Sequence, residues 1–361
     1  MAAPSRIRGA VRPALAALVF ALAPLRAQAE TFVPASHPLV RYTGRFDQRG
    51  PNGAVRFDWP GGVIELRFGG RSCAVRIRGD GGYYDVFIDG VPLTQRFDTL
   101  ETTCRLALGL RDTVHSLKIV KRFEGLKEQS ATLRGFYIDA GKSLHPIDAP
   151  PPSRRIEFIG GSNLLGFGVE ANTVRCDTPA VYSNAALSFG YAAARELGAE
   201  CHIVAMSGKG LVRNWRSPFV AAARPFGMFY GRSVKNDSTA RWDFGSWVPH
   251  VVAVCFGTND FSSKPHPPKE LFIALYWSFV QEVWARNPEA KVVCVTSARE
   301  PARSYVREFV DAERAAGNER IRFYSFGEVP KRMCGCDWHP NVEAQAQIGM
   351  ELAEAIRDWF D

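Results

Sequence analysis

Four short polar segments in the second half of the chain contain residues that could carry out acyl transfer. Three directly follow apolar, strand-like runs, and the fourth precedes the last helical pattern: Gly160–Ser162, Ser207–Gly210, Gly257–Asp260 and Cys336–Pro340. Residues that follow parallel strands meet at one edge of a sheet. The segments are therefore predicted to bring together a serine, a glycine-rich turn, an asparagine and a histidine, and this combination can cleave an ester.

The chemistry of each residue type assigns the candidate roles. Ser162 supplies a hydroxyl nucleophile. His339 can accept its proton and pass it to a leaving alcohol, because the ordinary pKa of histidine lies near 6.5. The backbone N–H groups of Ser162 and Gly208 and the side-chain amide of Asn259 can donate hydrogen bonds to the oxyanion of a tetrahedral intermediate. We also expect Ser162 to lie at a helix N-terminus, whose amides favour that negative charge.

These segments resemble the sequence blocks of the SGNH (GDSL-type) hydrolases, and the chain as a whole resembles carbohydrate esterase family 2. The likeness is carried by the stretches IEFIGGS, ELGAECHIVAMSGKGLVRNW, WDFGSWVPHVVAVCFGTNDFS and CGCDWHPN. It implies an N-terminal jelly-roll-like domain joined to an SGNH domain that deacetylates plant polysaccharides. It also implies Ser162 as nucleophile, His339 as base, and Ser162, Gly208 and Asn259 as the oxyanion hole.

Two positions depart from the blocks of that family. The aspartate that is usual in the first block is replaced by Gly161. The triad carboxylate usually lies three residues before the histidine, but Cys336 occupies that position and Asp337 lies only two residues before His339. We therefore expect a Ser–His dyad whose imidazole is oriented by a backbone carbonyl, in preference to a triad completed by Asp337.

An aromatic-rich segment from Trp215 to Trp247 suggests a loop beside a sugar-binding cleft. Sugar rings present apolar C–H faces that stack on aromatic side chains, although most of these residues are expected to pin the loop to the protein body. Trp338 and Trp215 are the candidate substrate contacts, and Arg213 is a candidate contact to sugar hydroxyls. The resemblance implies an acetylated polysaccharide or oligosaccharide as substrate, such as xylan or glucomannan, and no metal or organic cofactor.

Two other functions are compatible with the sequence. One is a generic SGNH esterase for short-chain lipid or peptidoglycan acetyl groups, which would gain nothing from a polymeric substrate. The other is a non-catalytic carbohydrate-binding protein, because a β-sandwich is a common sugar-binding scaffold and the first block is atypical. The serine-enzyme motifs G-x-S-x-G and S-x-x-K do not occur in the sequence, and neither does a P-loop.

Hydrophobic patterning divides the chain into two domains. Residues 30–145 alternate apolar and polar positions between Gly and Pro turns, which predicts an all-β, jelly-roll-like antiparallel sandwich. A Pro-rich linker is predicted over 146–153. Residues 154–361 predict a flavodoxin-like α/β SGNH domain with a parallel five-stranded sheet. Its predicted strands are 156–159, 202–205, 251–256, 292–296 and 321–325, and its helical windows are 184–197, 268–286, 301–316 and 342–360.

The first 29 residues have the pattern of a secretory signal peptide. Arginines precede an apolar run over 13–25 that is too short to span a bilayer, and Ala27-Gln28-Ala29 fits a cleavage site. Cleavage would remove four arginines and no acidic residue, which lowers the formal net charge from +8 to +4. We therefore expect an exported protein, periplasmic or secreted, that binds neither nucleic acid nor membrane.

Export changes the interpretation of the eight cysteines, because disulfides persist in oxidising compartments. Cys73 and Cys104 could form a bridge within the first domain. Cys255 and Cys294 lie in apolar strands and are expected to be buried thiols. Cys334, Cys336 and His339 lack a second ligand pair at zinc-type spacing, so no metal site is predicted.

Overall fold

The computed structural model describes residues 29–125 and 129–360. The predicted signal peptide, apart from its last residue, lies outside the described residues and stays a prediction. Within the described part of the chain, every helix is too short or too polar to cross a membrane.

The N-terminal part consists of strands, as the period-two pattern predicts. They are β1 (Glu30–Pro34), β2 (Arg41–Thr43), β3 (Val55–Phe57), β4 (Val63–Gly70), β5 (Cys73–Arg78), β6 (Tyr83–Ile88), β7 (Val91–Arg96), β8 (Glu101–Ala107), β9 (Thr113–Lys121), β10 (Ala131–Asp139) and β11 (Leu144–His145). One antiparallel sheet has the order β1-β10-β5-β8 with β3 beside β10, and the other has β11-β4-β9-β6-β7 with β2 beside β4. Buried side chains from both sheets form one core, as expected for a sandwich.

The C-terminal part is an α/β domain built on a parallel sheet. Its strands are β12 (Arg154–Gly160), β13 (Ala199–Ala205), β14 (Val251–Cys255), β15 (Lys291–Thr296) and β16 (Ile321–Ser325). Its helices are α1 (Phe189–Glu196), α2 (Gly227–Tyr230), α3 (Lys269–Arg286), α4 (Ala302–Ala315) and α5 (Val342–Ile356). The order β13-β12-β14-β15-β16 is parallel throughout, so the predicted fold class is confirmed. The strand order reverses at β12, and a ligand site is expected beyond the carboxyl ends of the strands at this point.

The two domains share a buried interface. Arg45, which follows β2, forms an ion pair at 2.8 Å with Glu157 of β12, and the two side chains are 0% and 2% exposed. Tyr191 of α1 donates a hydrogen bond to the carbonyl of Gly61. The segment predicted as a linker also contacts the sandwich, because Arg41 donates to the Ala149 carbonyl at 2.8 Å. The sandwich is therefore docked against the α/β domain.

Cys73 and Cys104 do not form a bridge with each other, because both are free thiols. In the β5–β8 register Cys73 lies opposite Ala107 and Cys104 lies opposite Val75, so the two cysteines are not cross-strand neighbours. The disulfide instead joins Cys176 to Cys336, across 160 residues.

Candidate active site

Ser162 lies directly beyond the end of strand β12, which pairs with β13 on one side and β14 on the other. The chain leaves the strand at Gly160 and enters a single 3₁₀ turn, Ser162–Leu165, which ends at Gly166 with a left-handed φ of 57°. This turn is shorter than the helix expected from the sequence. Because only a few peptide dipoles are aligned in one turn, negative charge at this position must be met mainly by individual N–H donors.

His339 reaches the Ser162 hydroxyl from the loop before α5. The distance from its Nε2 to Ser162 Oγ is 2.7 Å. Its Nδ1 lies 3.1 Å from the carbonyl oxygen of Cys336. A carbonyl can only accept a hydrogen bond, so Nδ1 carries the proton and Nε2 presents its lone pair to the hydroxyl. This is the tautomer that can remove the serine proton.

The imidazole of His339 is held in an apolar environment. Burial lowers its pKa below the ordinary 6.5, and the Cys336 carbonyl and the Asp337 charge oppose that shift. The ring of Phe167 packs against the imidazole with 4.6 Å between centroids. The base is therefore neutral near pH 7, as proton abstraction requires.

The carboxylate of Asp337, the alternative third member of a triad, is close to the imidazole but is not the hydrogen-bond partner of Nδ1. The ring nitrogens contact Ser162 Oγ and the Cys336 carbonyl, and Asp337 acts on the pKa of His339 through its charge and its backbone. Asp337 and Trp338 have left-handed φ angles of 50° and 63°. Two successive residues in this conformation form a tight turn that directs the Cys336 carbonyl, three residues before His339, at the imidazole.

The predicted oxyanion donors belong to two loops that contact each other. Gly208 has a φ of 70°, which favours glycine. The Asn259 amide donates to the Lys209 carbonyl at 2.8 Å, so it is fixed beside the Gly208 loop. A Cβ at Gly161 would lie 2.9 Å from Asn259 Nδ2. The glycine that replaces the expected aspartate therefore leaves room for the Asn259 amide.

An open cleft of about 680 Å³ is lined by Ser162, Gly208, Asn259 and His339. Trp215 and Trp338 line the same cleft and are 53% and 60% exposed. A second cavity of about 30 Å³ also borders Ser162 and Asn259. The structure thus brings together the predicted nucleophile, base, oxyanion donors and two aromatic contacts.

Arg213 does not line the cleft, so its predicted contact with sugar hydroxyls is wrong. The residue is 1% exposed. Its guanidinium donates to the carbonyls of Ser217, Ser263 and Pro265 at 2.6 to 3.0 Å. Arg213 therefore ties two loops together and has no donor directed at the cleft.

Comparison with known proteins fits this geometry. Residues 42–150 match a family model described as Carbohydrate esterase 2 N-terminal. The cellulase/esterase CelE of Acetivibrio thermocellus is 31% identical over 335 residues, which cover 89% of this chain but 40% of CelE. An active-site mutant of a family two carbohydrate esterase from Clostridium thermocellum has a solved structure that is 30% identical, with a TM-score of 0.79 over 88% of this chain and 98% of that one. The chain belongs to carbohydrate esterase family 2.

Another relative of this family 2 esterase is the acetylxylan esterase/glucomannan deacetylase of Cellvibrio japonicus. It is 25% identical, and the match covers 91% of each chain. The family 2 esterase therefore spans less than half of CelE but nearly all of the Cellvibrio protein. The relatives are named as esterases, which are carboxylic ester hydrolases.

Sequence reasoning missed two structural features of the family 2 site. The first is the Asp260 carboxylate, which accepts hydrogen bonds at 2.7 to 3.2 Å from the backbone N–H groups of Val212, Arg213 and Gly257. These hydrogen bonds connect the loop that carries Gly208 to the loop that carries Asn259. The sequence signal for this role was the position of Asp260 directly after Asn259.

The second feature is the Cys176–Cys336 disulfide, which holds the residue whose carbonyl orients His339.

Among the residues that the structure describes, no group of three His, Cys, Asp or Glu side chains could hold a metal ion. Cys336, one of the three residues considered as metal ligands, forms the disulfide with Cys176.

Proposed function

We propose that this protein is an exported serine esterase that removes O-acetyl groups from plant cell-wall polysaccharide, with xylan or glucomannan as the substrate. The observation that carries the proposal is the 2.7 Å contact between Ser162 Oγ and His339 Nε2, two residues that line an open cleft. A non-catalytic sugar-binding protein has no need for a hydroxyl that is paired with a neutral, oriented imidazole.

In the first half of the reaction, Ser162 Oγ attacks the acetyl carbonyl carbon while His339 Nε2 takes the hydroxyl proton. The carbonyl oxygen becomes an oxyanion that accepts hydrogen bonds from the N–H groups of Ser162 and Gly208 and from the Asn259 amide. The bond between the acetyl carbon and the sugar oxygen then breaks. His339 returns the proton to the leaving sugar oxygen, and the acetyl group remains on Ser162.

In the second half, water repeats these steps on the acetyl-enzyme. His339 takes a proton from the water as its oxygen bonds to the acetyl carbon, and the same donors stabilise the second oxyanion. The bond to Ser162 breaks, His339 reprotonates the serine, and acetic acid leaves and loses its remaining proton to water as acetate. The Cys336 carbonyl keeps the proton of Nδ1 in place throughout.

Shape and chemistry support an acetylated sugar as the substrate. The exposed rings of Trp215 and Trp338 offer faces on which sugar rings can stack. The cavity of about 30 Å³ beside Ser162 and Asn259 has room for a small group such as the methyl of an acetyl ester. The Cellvibrio relative is named an acetylxylan esterase/glucomannan deacetylase.

Export is part of the proposal. The basic and apolar pattern of the first 29 residues supports it. A disulfide in the described part of the chain also supports an oxidising compartment.

The test compares acetate release from acetylated xylan, acetylated glucomannan and acetylated peptidoglycan by the wild type and by Ser162→Ala. We expect release from a plant polysaccharide by the wild type alone. A preference for peptidoglycan or for small esters would identify a different substrate. An organophosphonate provides a second measurement, because the absence of a stoichiometric mass adduct that depends on Ser162 would reject the serine mechanism.

A further inference from the structure

One segment of the N-terminal domain contacts both halves of the proposed active site. After β9 ends at Lys121, the chain crosses to the α/β domain, where Phe123 is 8% exposed within a core that includes Leu165 of the nucleophile turn. The ring of Phe123 packs edge-on against Phe167 with 5.8 Å between centroids. Phe167 in turn packs against His339. The sandwich domain therefore supports the imidazole through one intermediate ring.

Glu124, the next residue, directly contacts the loop over Ser207–Gly210, which carries the Gly208 donor and is called the oxyanion loop below. Its Oε2 accepts a hydrogen bond from the backbone N–H of Ser207 at 3.2 Å. Its Oε1 accepts one from Lys235 Nζ, also at 3.2 Å. The Glu124 side chain is 16% exposed and that of Lys235 is 8% exposed. The carboxylate thus has a fixed position between a backbone amide and a buried ammonium group.

The position of Ser207 gives this contact a consequence for catalysis. Ser207 precedes Gly208, whose N–H is a proposed oxyanion donor, and Lys209, whose carbonyl holds the Asn259 amide. A shift of the loop would displace both the Gly208 and the Asn259 donors. Oxyanion donors act only when their positions match the developing charge, so a small displacement reduces transition-state stabilisation.

Lys235 allows a carboxylate to occupy this place. An unpaired negative charge near an oxyanion hole would oppose the oxyanion, but the ammonium group of Lys235 lies against Glu124 and compensates its charge. What remains is a hydrogen-bond acceptor that holds the loop.

We propose that Glu124 is a positioning residue for ester hydrolysis, and that the N-terminal domain completes the oxyanion hole through it. This inference rests on the proposed function and adds to it a requirement for a residue outside the α/β domain. It also gives the sandwich a role in turnover that does not depend on sugar binding.

The test distinguishes the effect of side-chain length at position 124 from that of side-chain charge, with 4-nitrophenyl acetate as the substrate. Glu124→Asp keeps the charge but shortens the side chain, so it cannot reach Ser207 and Lys235 together, and we expect kcat to fall about tenfold with KM changed less than about twofold. Complete removal of one oxyanion donor costs about 10²- to 10³-fold, and a displaced donor costs less. Glu124→Gln keeps the length of the side chain but has one acceptor oxygen in place of two, so the oxygen can accept from the Ser207 N–H while the NH₂ group faces Lys235. We expect kcat to stay within about threefold of the wild type and the melting temperature to fall, because the Lys235 ammonium group loses the Glu124 carboxylate.

The matched control is Asp58→Asn at the same domain interface. The Asp58 carboxylate accepts hydrogen bonds from the N–H groups of Lys235 and Asn236 and from the Ser130 hydroxyl, not from the oxyanion loop. We expect this variant to lower the melting temperature and leave kcat unchanged. An equal loss of kcat in Asp58→Asn and Glu124→Asp, or a wild-type kcat in Glu124→Asp, would overturn the proposal.

Failure of the proposed function would look different. A wild type that does not hydrolyse the acetyl ester, or a Ser162→Ala variant that still does, rejects the serine mechanism. An active wild type whose activity depends on Ser162 but not on the length of residue 124 rejects only the role of Glu124. The rate of organophosphonate modification of Ser162 gives an independent reading, because that reaction also places negative charge in the oxyanion hole.

Discussion

The carbonyl oxygen of Cys336 accepts the hydrogen bond of His339 Nδ1 at 3.1 Å, while the side chain of Cys336 is bonded to Cys176. The residue at the usual position of a triad carboxylate therefore contributes through its backbone, and a covalent bond to a distant loop holds that backbone in place. A second contact joins the same segments, because the Asp337 N–H donates to the Val174 carbonyl at 2.9 Å. The orientation of the base thus depends on how these two loops are joined.

Loss of the disulfide should reduce turnover more than substrate affinity. In Cys176→Ser the Cys336 carbonyl is no longer held covalently, and we expect kcat for an acetyl ester to fall about threefold to tenfold with little change in KM. Removal of a native disulfide also costs about 2–5 kcal/mol of unfolding free energy. Kinetics and denaturant unfolding check the two effects.

The matched control for the disulfide is Cys334→Ser, in the same loop. Cys334 is a free cysteine whose thiol lies 3.5 Å from the Pro330 carbonyl, and a serine hydroxyl can make the same contact. Its kcat should match that of the wild type. Equal kcat values for the wild type and Cys176→Ser would show that the backbone turn alone orients His339.

Asp337 should contribute little to turnover. Asn tolerates the left-handed φ of 50° at this position, so Asp337→Asn removes the charge without disturbing the turn. We expect kcat to fall less than about threefold, whereas His339→Ala should lose at least about 10³-fold, because no general base remains. A loss in Asp337→Asn as large as that in His339→Ala would establish Asp337 as a triad member.

The pH dependence of kcat/KM should report the buried base. His339 must be neutral to accept the serine proton, and burial holds its pKa below 6.5, so activity should persist below pH 6.5 before it declines. The charge of Asp337 raises this pKa, so Asp337→Asn should move the acid limb to lower pH. A pH–rate profile of both proteins checks the direction, and an acid limb above pH 6.5 would contradict it.

The same shift makes a prediction for stability. The pKa of His339 is lower in the folded protein than the ordinary value of 6.5, so the unfolded state binds more protons as the pH falls. The contribution of His339 to stability should therefore decrease below pH 6.5. His339→Gln should reduce the difference in unfolding free energy between pH 7 and pH 5.

Trp338 should contribute to the binding of a polymeric substrate and not to the chemical step. Trp338→Ala removes an exposed ring of the cleft, so KM for acetylated xylan should rise about threefold or more, while kcat for 4-nitrophenyl acetate stays near the wild-type value. An unchanged polymer KM in Trp338→Ala would exclude its role in sugar binding.

Arg213 should contribute to stability and not to substrate binding. Arg213→Met leaves the carbonyls of Ser217, Ser263 and Pro265 without this donor, and we expect a lower melting temperature.

The sequence predicted the parts of the site that parallel-sheet geometry determines. Ser162 and His339 are 177 residues apart, yet both lie beyond the carboxyl edge of one sheet. The apolar runs predicted strands such as β14 and β15 to within one or two residues, because strands covered on both faces require nearly continuous hydrophobic residues.

Periodicity could not predict contacts that depend on how loops and domains dock. The burial of Arg213 is determined by loop segments around Ser217 and Ser263 that come together only in the folded chain. The role of Glu124 requires the sandwich to approach the α/β domain at one position, and no local pattern encodes that approach. The pairing of Cys176 with Cys336 likewise depends on two loops whose conformations are irregular.

The buried pair of Arg45 and Glu157 limits how this enzyme can be engineered. Exchange of the sandwich for one from another protein would leave Glu157 of strand β12 without its cation, and an unpaired buried charge of this kind costs about 3–5 kcal/mol. A working chimera would have to place an arginine at the same spot or replace Glu157 with an uncharged residue. The two halves of the molecule therefore cannot be recombined as independent modules.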